Sequence, residues 1–140
     1  MLMSASDDLN YALQATQNWV SDLAWRLSWH DRERVFHTLI ATLHALRDCL
    51  DCNEAVYIGA KMPALLRGLY YEGWHPGRPK ARNRTSFLDR VHEGVRRDPA
   101  VDSEEIARSV LSQLADRFSA VEIEEAKAAT SSVLHDLWPD

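Results

Sequence analysis

Apolar residues recur at steps of three and four along most of this chain, which is the spacing of one face of an α-helix. The first such stripe runs through Leu9, Leu13, Val20, Leu23 and Leu27. The pattern predicts six helices, over residues 8–27, 32–50, 54–71, 85–96, 103–117 and 120–137. No segment alternates apolar and polar residues as a half-buried strand does, so the sequence predicts an all-α fold.

Local signals mark several helix boundaries. Pro63 lies inside the third predicted helix and lacks a backbone N–H, which predicts a kink or a break near Lys61 and Met62. The equivalent residue in the sixth predicted helix is Ser131, so that helix is expected to be straighter. Asp51 begins a variant capping box before the third helix, and Ser119 begins a standard capping box before the sixth.

The chain carries an internal repeat. Residues 16–70 align without gaps on residues 84–138, and eleven large apolar residues then coincide, where chance gives about six. Trp19 falls on Phe87 in this alignment, and Tyr70 falls on Trp138. The repeat predicts two three-helix modules, residues 1–71 and 84–140, joined by a linker at 72–83. We expect the modules to pack with pseudo-twofold symmetry into one compact six-helix bundle, with its second and fifth helices at the centre.

Composition and charge narrow the class of protein. The 140 residues are 46% hydrophobic and 26% charged, which is typical of a globular domain. No apolar run approaches the roughly 20 residues that span a bilayer, and the N-terminus lacks the pattern of a signal peptide. We therefore predict a cytoplasmic protein without a membrane partner. Residues 78–97 carry seven basic and two acidic residues between two acidic flanks, so nucleic-acid binding over the whole surface is not expected.

The basic stretch allows two interpretations. Its side chains are Arg78, Lys80, Arg82, Arg84, Arg90, Arg96 and Arg97. They could hold phosphate or an acidic partner through salt-sensitive contacts. The favoured alternative is that they balance the acidic second module, through pairs with Glu104, Glu105, Glu122, Glu124 or Glu125.

One stretch, MPALLRGLYYEGWHP at residues 62–76, carries a family resemblance. It resembles the signature of a bacterial family catalogued as domain of unknown function 2267, which is followed by a phenylalanine-led helix, here at Phe87. Met62 stands where that family usually has leucine. The resemblance covers about residues 8–138. It implies an all-helical cytoplasmic protein with no assigned reaction, and it supplies no catalytic residues.

The same stretch holds the densest group of chemically capable side chains. Aromatic rings and arginines together are typical of a binding hot spot. The candidate binding residues are Arg67, Tyr71, Glu72, Trp74, His75, Arg78 and Arg82. The alternative, which we favour for the block as a whole, is structural: aromatic rings would fill the seam between modules, and Arg67 and Glu72 would cap backbone groups. Tyr70, whose counterpart is Trp138, is expected in the core.

Metal, redox and catalytic signals are weak. His30, His37 and His44 recur every seven residues on the second helix, with Glu33 and Asp48 on the same side. Seven residues rise about 10 Å along a helix, which is too far for two ligands of one ion. Cys49 and Cys52 form a lone C-x-x-C, without a second pair for zinc or a βαβ unit for redox chemistry. No P-loop, GxGxxG or GxSxG motif occurs, so we predict no cofactor, no metal and no enzymatic activity.

These observations favour a non-enzymatic protein-interaction module, with a protein partner or a second copy of itself. The contact face would combine the end of the third helix, the linker and the tryptophans Trp25 and Trp29 of the first helix. The alternative is a binder of a small anionic ligand or nucleotide, held by Arg67, Arg78, Arg82 and His75 over the rings of Tyr71 and Trp74. A third option is a metal protein built on the histidine face of the second helix.

Overall fold

The computed structural model describes residues 4–77, 83–130 and 132–139. Seven α-helices and one 3₁₀ helix lie in these ranges, and no strand does. The elements are α1 (Ala5–Leu27), α2 (Arg32–Arg47), α3 (Cys52–Gly59), α4 (Ala64–Tyr71), α5 (Arg84–Gly94), α6 (Ser103–Ala115), α7 (Ala120–Ala129) and the 3₁₀ helix η1 (Ser132–Leu137). The predicted all-α class is therefore correct.

Two predicted helices are each divided. The break at Pro63 is confirmed, because α3 ends at Gly59 and Pro63 is the extended N-cap of α4. The expectation of one continuous helix over residues 120–137, straighter than the third predicted helix, is wrong, because α7 ends at Ala129 and Thr130 is extended. The Thr130 hydroxyl donates to the Lys127 carbonyl at 2.8 Å, so this side chain satisfies a backbone group that a longer helix would have used.

Short polar side chains begin the helices. The Asp51 carboxylate accepts from the backbone N–H of Glu54 at 2.9 Å, which confirms the predicted cap, but the returning bond of a full capping box is not formed there. At α7 both bonds are present, from the Glu122 N–H to Ser119 and from the Ser119 N–H to Glu122. Both helix starts predicted from the sequence thus exist, and one of them is the complete motif.

α2 and α6 form the centre of the core. They contact each other, and both contact α1 and α5; α2 also contacts α4, and α6 contacts η1. Their inward side chains are buried, among them Leu39 and Leu43 on α2 and Val110 and Leu114 on α6. Because these two helices bury the most side chains, they hold the positions that the apolar stripes predict.

α1 extends beyond this core. Its first buried residue is Thr16, and the preceding eleven residues are exposed or half-buried. Leu9 keeps 72% of its surface exposed and Leu13 keeps 48%. Among the described residues, no helix is both long and apolar enough to cross a membrane.

Candidate functional site

The aromatic stretch at the end of α4 lies against α3. Tyr70 is fully buried, and its hydroxyl donates to the Ala55 carbonyl at 2.7 Å. The Tyr71 hydroxyl lies 3.4 Å from the Val56 carbonyl, and its ring stacks on Trp74 with centroids 5.4 Å apart. Both tyrosines pass close to Gly59, where a Cβ atom would lie 2.5 Å from the Tyr71 hydroxyl. The pair of tyrosines therefore joins α4 to α3 across a position that has no side chain.

Arg67 serves the same junction. Its Nε donates to the Gly59 carbonyl at 3.1 Å, and its Nη2 donates to the Met62 carbonyl at 2.8 Å. These carbonyls lie at the end of α3 and before α4, where the i→i+4 bonds of a helix stop; the Gly59 carbonyl accepts in addition from the Met62 N–H at 3.1 Å. The guanidinium that the sequence offers to a ligand is thus bonded to backbone within the described structure.

Three residues that the sequence did not single out as a unit hold the other side of this stretch. Arg47 is only 3% exposed, and its Nη1 donates to the Tyr70 carbonyl at 2.8 Å and the Glu72 carbonyl at 2.9 Å. Its Nε donates to Asp48 at 2.9 Å, and Arg90 of α5 donates to the same carboxylate at 2.6 Å. A sign of this role was present in the sequence, because Arg47 follows Leu39 and Leu43 at steps of four and so shares the buried face of α2.

This ionic cluster changes the titration of its acid. Burial by itself raises the pKa of Asp48, but the hydrogen bonds from Arg47 and Arg90 outweigh it and hold the pKa below its ordinary value. A buried arginine with its carboxylate and two carbonyls satisfied is a rigid support, and its loss would leave several polar groups without partners. The cluster therefore fixes the backbone of residues 70–72 from the side of α2.

His44 completes the contact between α2 and α4. Its Nε2 lies 2.7 Å from the Leu69 carbonyl. Burial lowers the pKa of His44, and the positive charge of Arg47 acts in the same direction. Because a carbonyl oxygen can only accept, Nε2 carries the hydrogen, and Nδ1 of the neutral ring is an acceptor.

The remaining candidate residues are less engaged. Glu72 is exposed, and its carboxylate has no hydrogen bond or ion pair within the described part of the chain. Trp74 is half-buried, and its Nε1 has no partner among the described residues. The exposed His75 ring lies 2.9 Å from the Gly73 carbonyl. Arg78 and Arg82 lie outside the described residues.

Three described arginines of the basic stretch, Arg84, Arg90 and Arg97, have acidic partners, and one of these pairs is among those that the favoured interpretation predicts. Arg84 pairs with Glu104 at 2.9 Å, which is one of the predicted pairs, and with Asp136 at 2.6 Å. Arg97 instead pairs with Asp89 of the preceding helix α5 at 2.6 Å. Arg90, described above, pairs with Asp48 after α2, which is not one of the predicted partners.

The histidine face of α2 offers no group of metal ligands. Over the described ranges, no three His, Cys, Asp or Glu side chains lie close enough to hold one ion. His30 and His37 are exposed, as predicted for that face, whereas His44 is half-buried against α4. Cys49 is buried and Cys52 is exposed.

The sequence profile of a family described as "Uncharacterized conserved protein (DUF2267)" matches residues 16–137. The chain belongs to this family. The resemblance read from residues 62–76 is thereby confirmed. A search of curated proteins found no match.

The boundaries of the DUF2267 match coincide with a boundary in the structure. The match begins at Thr16, which is the first buried residue of α1. The eleven residues that precede Thr16 in α1, which are exposed or half-buried, therefore lie outside the matched range. Within the matched part, the described side chains of the aromatic stretch mainly hold α3, α4 and α2 together.

Proposed function

We propose that this DUF2267 protein is a non-enzymatic interaction module that associates with a second copy of itself through the first half of α1. One observation carries this proposal: Leu9 and Leu13 continue the buried stripe of α1 but are 72% and 48% exposed. Thr16, Val20 and the later members of the same stripe are buried within the chain. The apolar face thus extends about two turns further than the core that covers it.

An uncovered helical extension of this kind favours a partner. Isolated helices shorter than about 12 residues are marginal in water, and most helices gain their stability from packing of an apolar face. The steps from Leu9 to Leu13, Thr16, Val20 and Leu23 alternate four and three, which is the seam of helix pairs. A second copy supplies a matching seam without any further assumption.

Charge supports an antiparallel pair. Asp7 and Asp8 are the only charged residues between Ser4 and Asn18. Parallel α1 helices would bring the four carboxylates together, whereas antiparallel helices separate them. The same lack of basic residues disfavours an anionic membrane surface or nucleic acid as the partner of this segment.

Two other exposed aromatic residues of α1 lie on a different face of the helix from Leu9 and Leu13. Trp25 is 80% exposed and Tyr11 is 67% exposed, and at about 100° per residue both lie roughly 160° around the helix from Leu9, so they form a second exposed face. Trp29, which the sequence grouped with Trp25, is half-buried under Arg34, whose guanidinium lies 4.6 Å from the ring centroid. Trp25 is accordingly the better candidate for a contact with another protein.

We also infer that the fold is the duplicated one that the repeat predicts. α1 ends with Ser28 at φ 58° and a bond from the Trp29 N–H to the Ala24 carbonyl. α5 is followed by Arg96 at φ 56° and by the equivalent bond from the Arg97 N–H to the His92 carbonyl, and each of these residues lies 68 positions after its counterpart. Both helices thus end with a non-glycine residue in the left-handed conformation, and the two ends are separated by the offset of the repeat. This similarity supports two related modules.

The helix contacts support the same inference. In the proposed repeat, α1, α2, α3 and α4 correspond to α5, α6, α7 and η1, respectively. The contact of α2 with α5 then has an equivalent in the contact of α6 with α1. The contact of α2 with α4 likewise has an equivalent in the contact of α6 with η1. This pattern supports modules at residues 1–71 and 84–140 around a pseudo-twofold axis.

The anionic-ligand alternative has less support. It needs the guanidinium of Arg67, which the Gly59 and Met62 carbonyls already occupy, and Arg78 and Arg82, which lie outside the described residues. Titration with inorganic phosphate and ATP, followed by tryptophan fluorescence, tests it: a saturable change that Trp74→Ala abolishes would restore it. A cytoplasmic location stays a prediction.

Light scattering at rising protein concentration tests the proposed self-association. We expect a mass that approaches twice the 16.0 kDa of one chain. Burial of a leucine is worth about 2 kcal/mol, so replacing Leu9 and Leu13 with glutamine removes up to about 8 kcal/mol from the four leucines of the dimer and should weaken it by up to about a millionfold. Val121→Gln, at a 67% exposed site on α7, is the matched control and should leave the mass unchanged. A wild-type chain that stays monomeric at every concentration would exclude the proposal.

A further inference from the structure

A shallow groove separates α2 from the end of α4. Its volume is about 460 Å³, and its lining includes Phe36, Ile40, Ala41, His44, Leu69 and Glu72. Phe36 and Ile40 are only partly covered, although both belong to the edge of the hydrophobic core. The groove lies beside the backbone that Arg47 holds, so its shape is set by rigid elements rather than by a loop.

The polar side chains of this groove are His37, His44 and Glu72. His44 uses the hydrogen on Nε2 for the Leu69 carbonyl, which leaves Nδ1 as an acceptor. The exposed Glu72 carboxylate has no partner in the part of the chain that the structure describes. No described arginine or lysine lines the groove. An apolar surface with these groups suits a ligand that combines apolar side chains with a cation.

The second half of the chain contains a counterpart of this groove with cations built in. The offset of 68 takes Ile40, Ala41, His44 and Leu69 to Arg108, Ser109, Ser112 and Leu137, which line a groove of about 290 Å³. Arg108 donates to Glu104 at 2.7 Å and to the Asp136 carbonyl at 2.6 Å.

A second arginine also reaches that counterpart. Arg26 of α1 donates to the Ser112 hydroxyl at 2.7 Å, and Ser112 is the equivalent of His44. The residues 68 positions away from Arg108 and Arg26 are Ile40, which lines the first groove, and Gly94, which packs against Ala41 beside it; neither carries a charge. The two equivalent grooves thus differ in charge: guanidinium groups lie in one, whereas the other has two imidazoles, a carboxylate and apolar side chains.

We propose that the groove between α2 and α4 binds a basic amphipathic segment of a partner protein. Apolar side chains of the segment pack on Phe36, Ile40 and Leu69, and a lysine or arginine of the segment bonds Glu72 and the Nδ1 acceptor of His44. Recognition of an amphipathic segment by an apolar groove with a charged rim is a common mode of peptide binding. The site is separate from the α1 surface, and a chain that proved monomeric would leave it standing.

The test is an NMR titration of the full ¹⁵N-labelled chain with two synthetic amphipathic peptides of equal length. One peptide contains leucine and lysine, and the other contains leucine and glutamate. We expect saturable shifts of the amides around Ile40, His44 and Leu69 with the lysine peptide and much weaker shifts with the glutamate peptide. Equal binding of both peptides, or shifts confined to α1, would overturn the proposal.

Two exposed carboxylates give a matched pair of variants. Glu72→Gln removes the charge at the groove and should weaken the lysine peptide about tenfold, which is the effect of losing one charge-assisted hydrogen bond. Glu105→Gln removes an exposed carboxylate of α6 outside the groove and should leave the affinity unchanged. Ile40→Arg introduces the residue of the counterpart groove and should abolish binding. Equal affinities of the Glu72→Gln and Glu105→Gln proteins for the lysine peptide would contradict the assignment.

Discussion

Replacing Gly59 by alanine tests the contact between the tyrosine pair and α3. A Cβ atom at this position would lie 2.5 Å from the Tyr71 hydroxyl oxygen, 2.9 Å from Tyr71 Cζ and 3.0 Å from Tyr70 Cε2. Tyr70 is fully buried and hydrogen-bonded, so it has no free space to enter. Tyr71 is half-exposed and must therefore move, which disturbs its stacking on Trp74.

The expected magnitude comes from three opposing effects. Alanine is the better helix former by about 1 kcal/mol. Overpacking costs about 1–3 kcal/mol, and a disturbed aromatic pair costs about 0.5–1.5 kcal/mol. We expect Gly59→Ala to lower the free energy of unfolding by about 2 kcal/mol. Gly68→Ala is the matched control, because no atom lies within 4 Å of its Cβ position on α4, and it should raise stability by about 0.5–1 kcal/mol.

Urea unfolding followed by circular dichroism measures both variants. The unfolding midpoint should fall for Gly59→Ala and rise for Gly68→Ala. In a Tyr71→Ala background the cost of Gly59→Ala should shrink, because the main clash is gone. Equal, positive shifts for the two glycine variants would refute the close contact.

Three further predictions concern helix ends and ion pairs. Arg96→Gly should stabilise the chain by about 1 kcal/mol in urea unfolding, because Arg96 has φ 56°, and an unchanged midpoint would contradict this. Arg47→Met should cost about 3 kcal/mol or more, whereas Arg108→Met at the surface should cost less than about 1 kcal/mol; similar losses would argue against the buried cluster. Hydrogen bonds, of which that from Lys61 has the largest effect, lower the pKa of Glu122 from 4.5 to about 2. The contribution of the Glu122 carboxylate to stability is therefore complete above pH 4.5 and is lost as the pH falls towards 2. Glu122→Gln should flatten that part of the stability–pH curve, and a curve identical to wild type would count against the shift.

The sequence predicts helix boundaries correctly where a local capping or helix-breaking signal accompanies the apolar spacing. α2 begins after Asp31 and α6 after Asp102, as the sequence predicts, because both carboxylates accept from helix N–H groups. The break at Pro63 follows from the missing N–H of proline. Thr130 carries no comparable signal, since threonine is tolerated in helices, and its extended backbone depends on the packing of η1 against α6 and α7.

Some features of the candidate site could likewise be predicted from the sequence, and others could not. Burial of Tyr70 follows from its alignment with Trp138, because both occupy the same place in the repeat. The bonds of Arg67 and Arg47 to main-chain carbonyls were not predictable in detail, because carbonyl partners carry no residue identity. The uncovered half of α1 was missed as well, since Leu9 and Leu13 fit the buried stripe perfectly and only the three-dimensional extent of the core leaves them outside.

Hydrogen exchange of the α1 amides tests the proposed self-association most directly. The amides of residues 8–13 lie beyond the core of one chain, so in a monomer they are protected only by the local helix. We predict that their protection rises with protein concentration, while that of the buried segment after Thr16 stays constant. Protection of residues 8–13 that is equally weak at all concentrations would contradict a second copy on this surface.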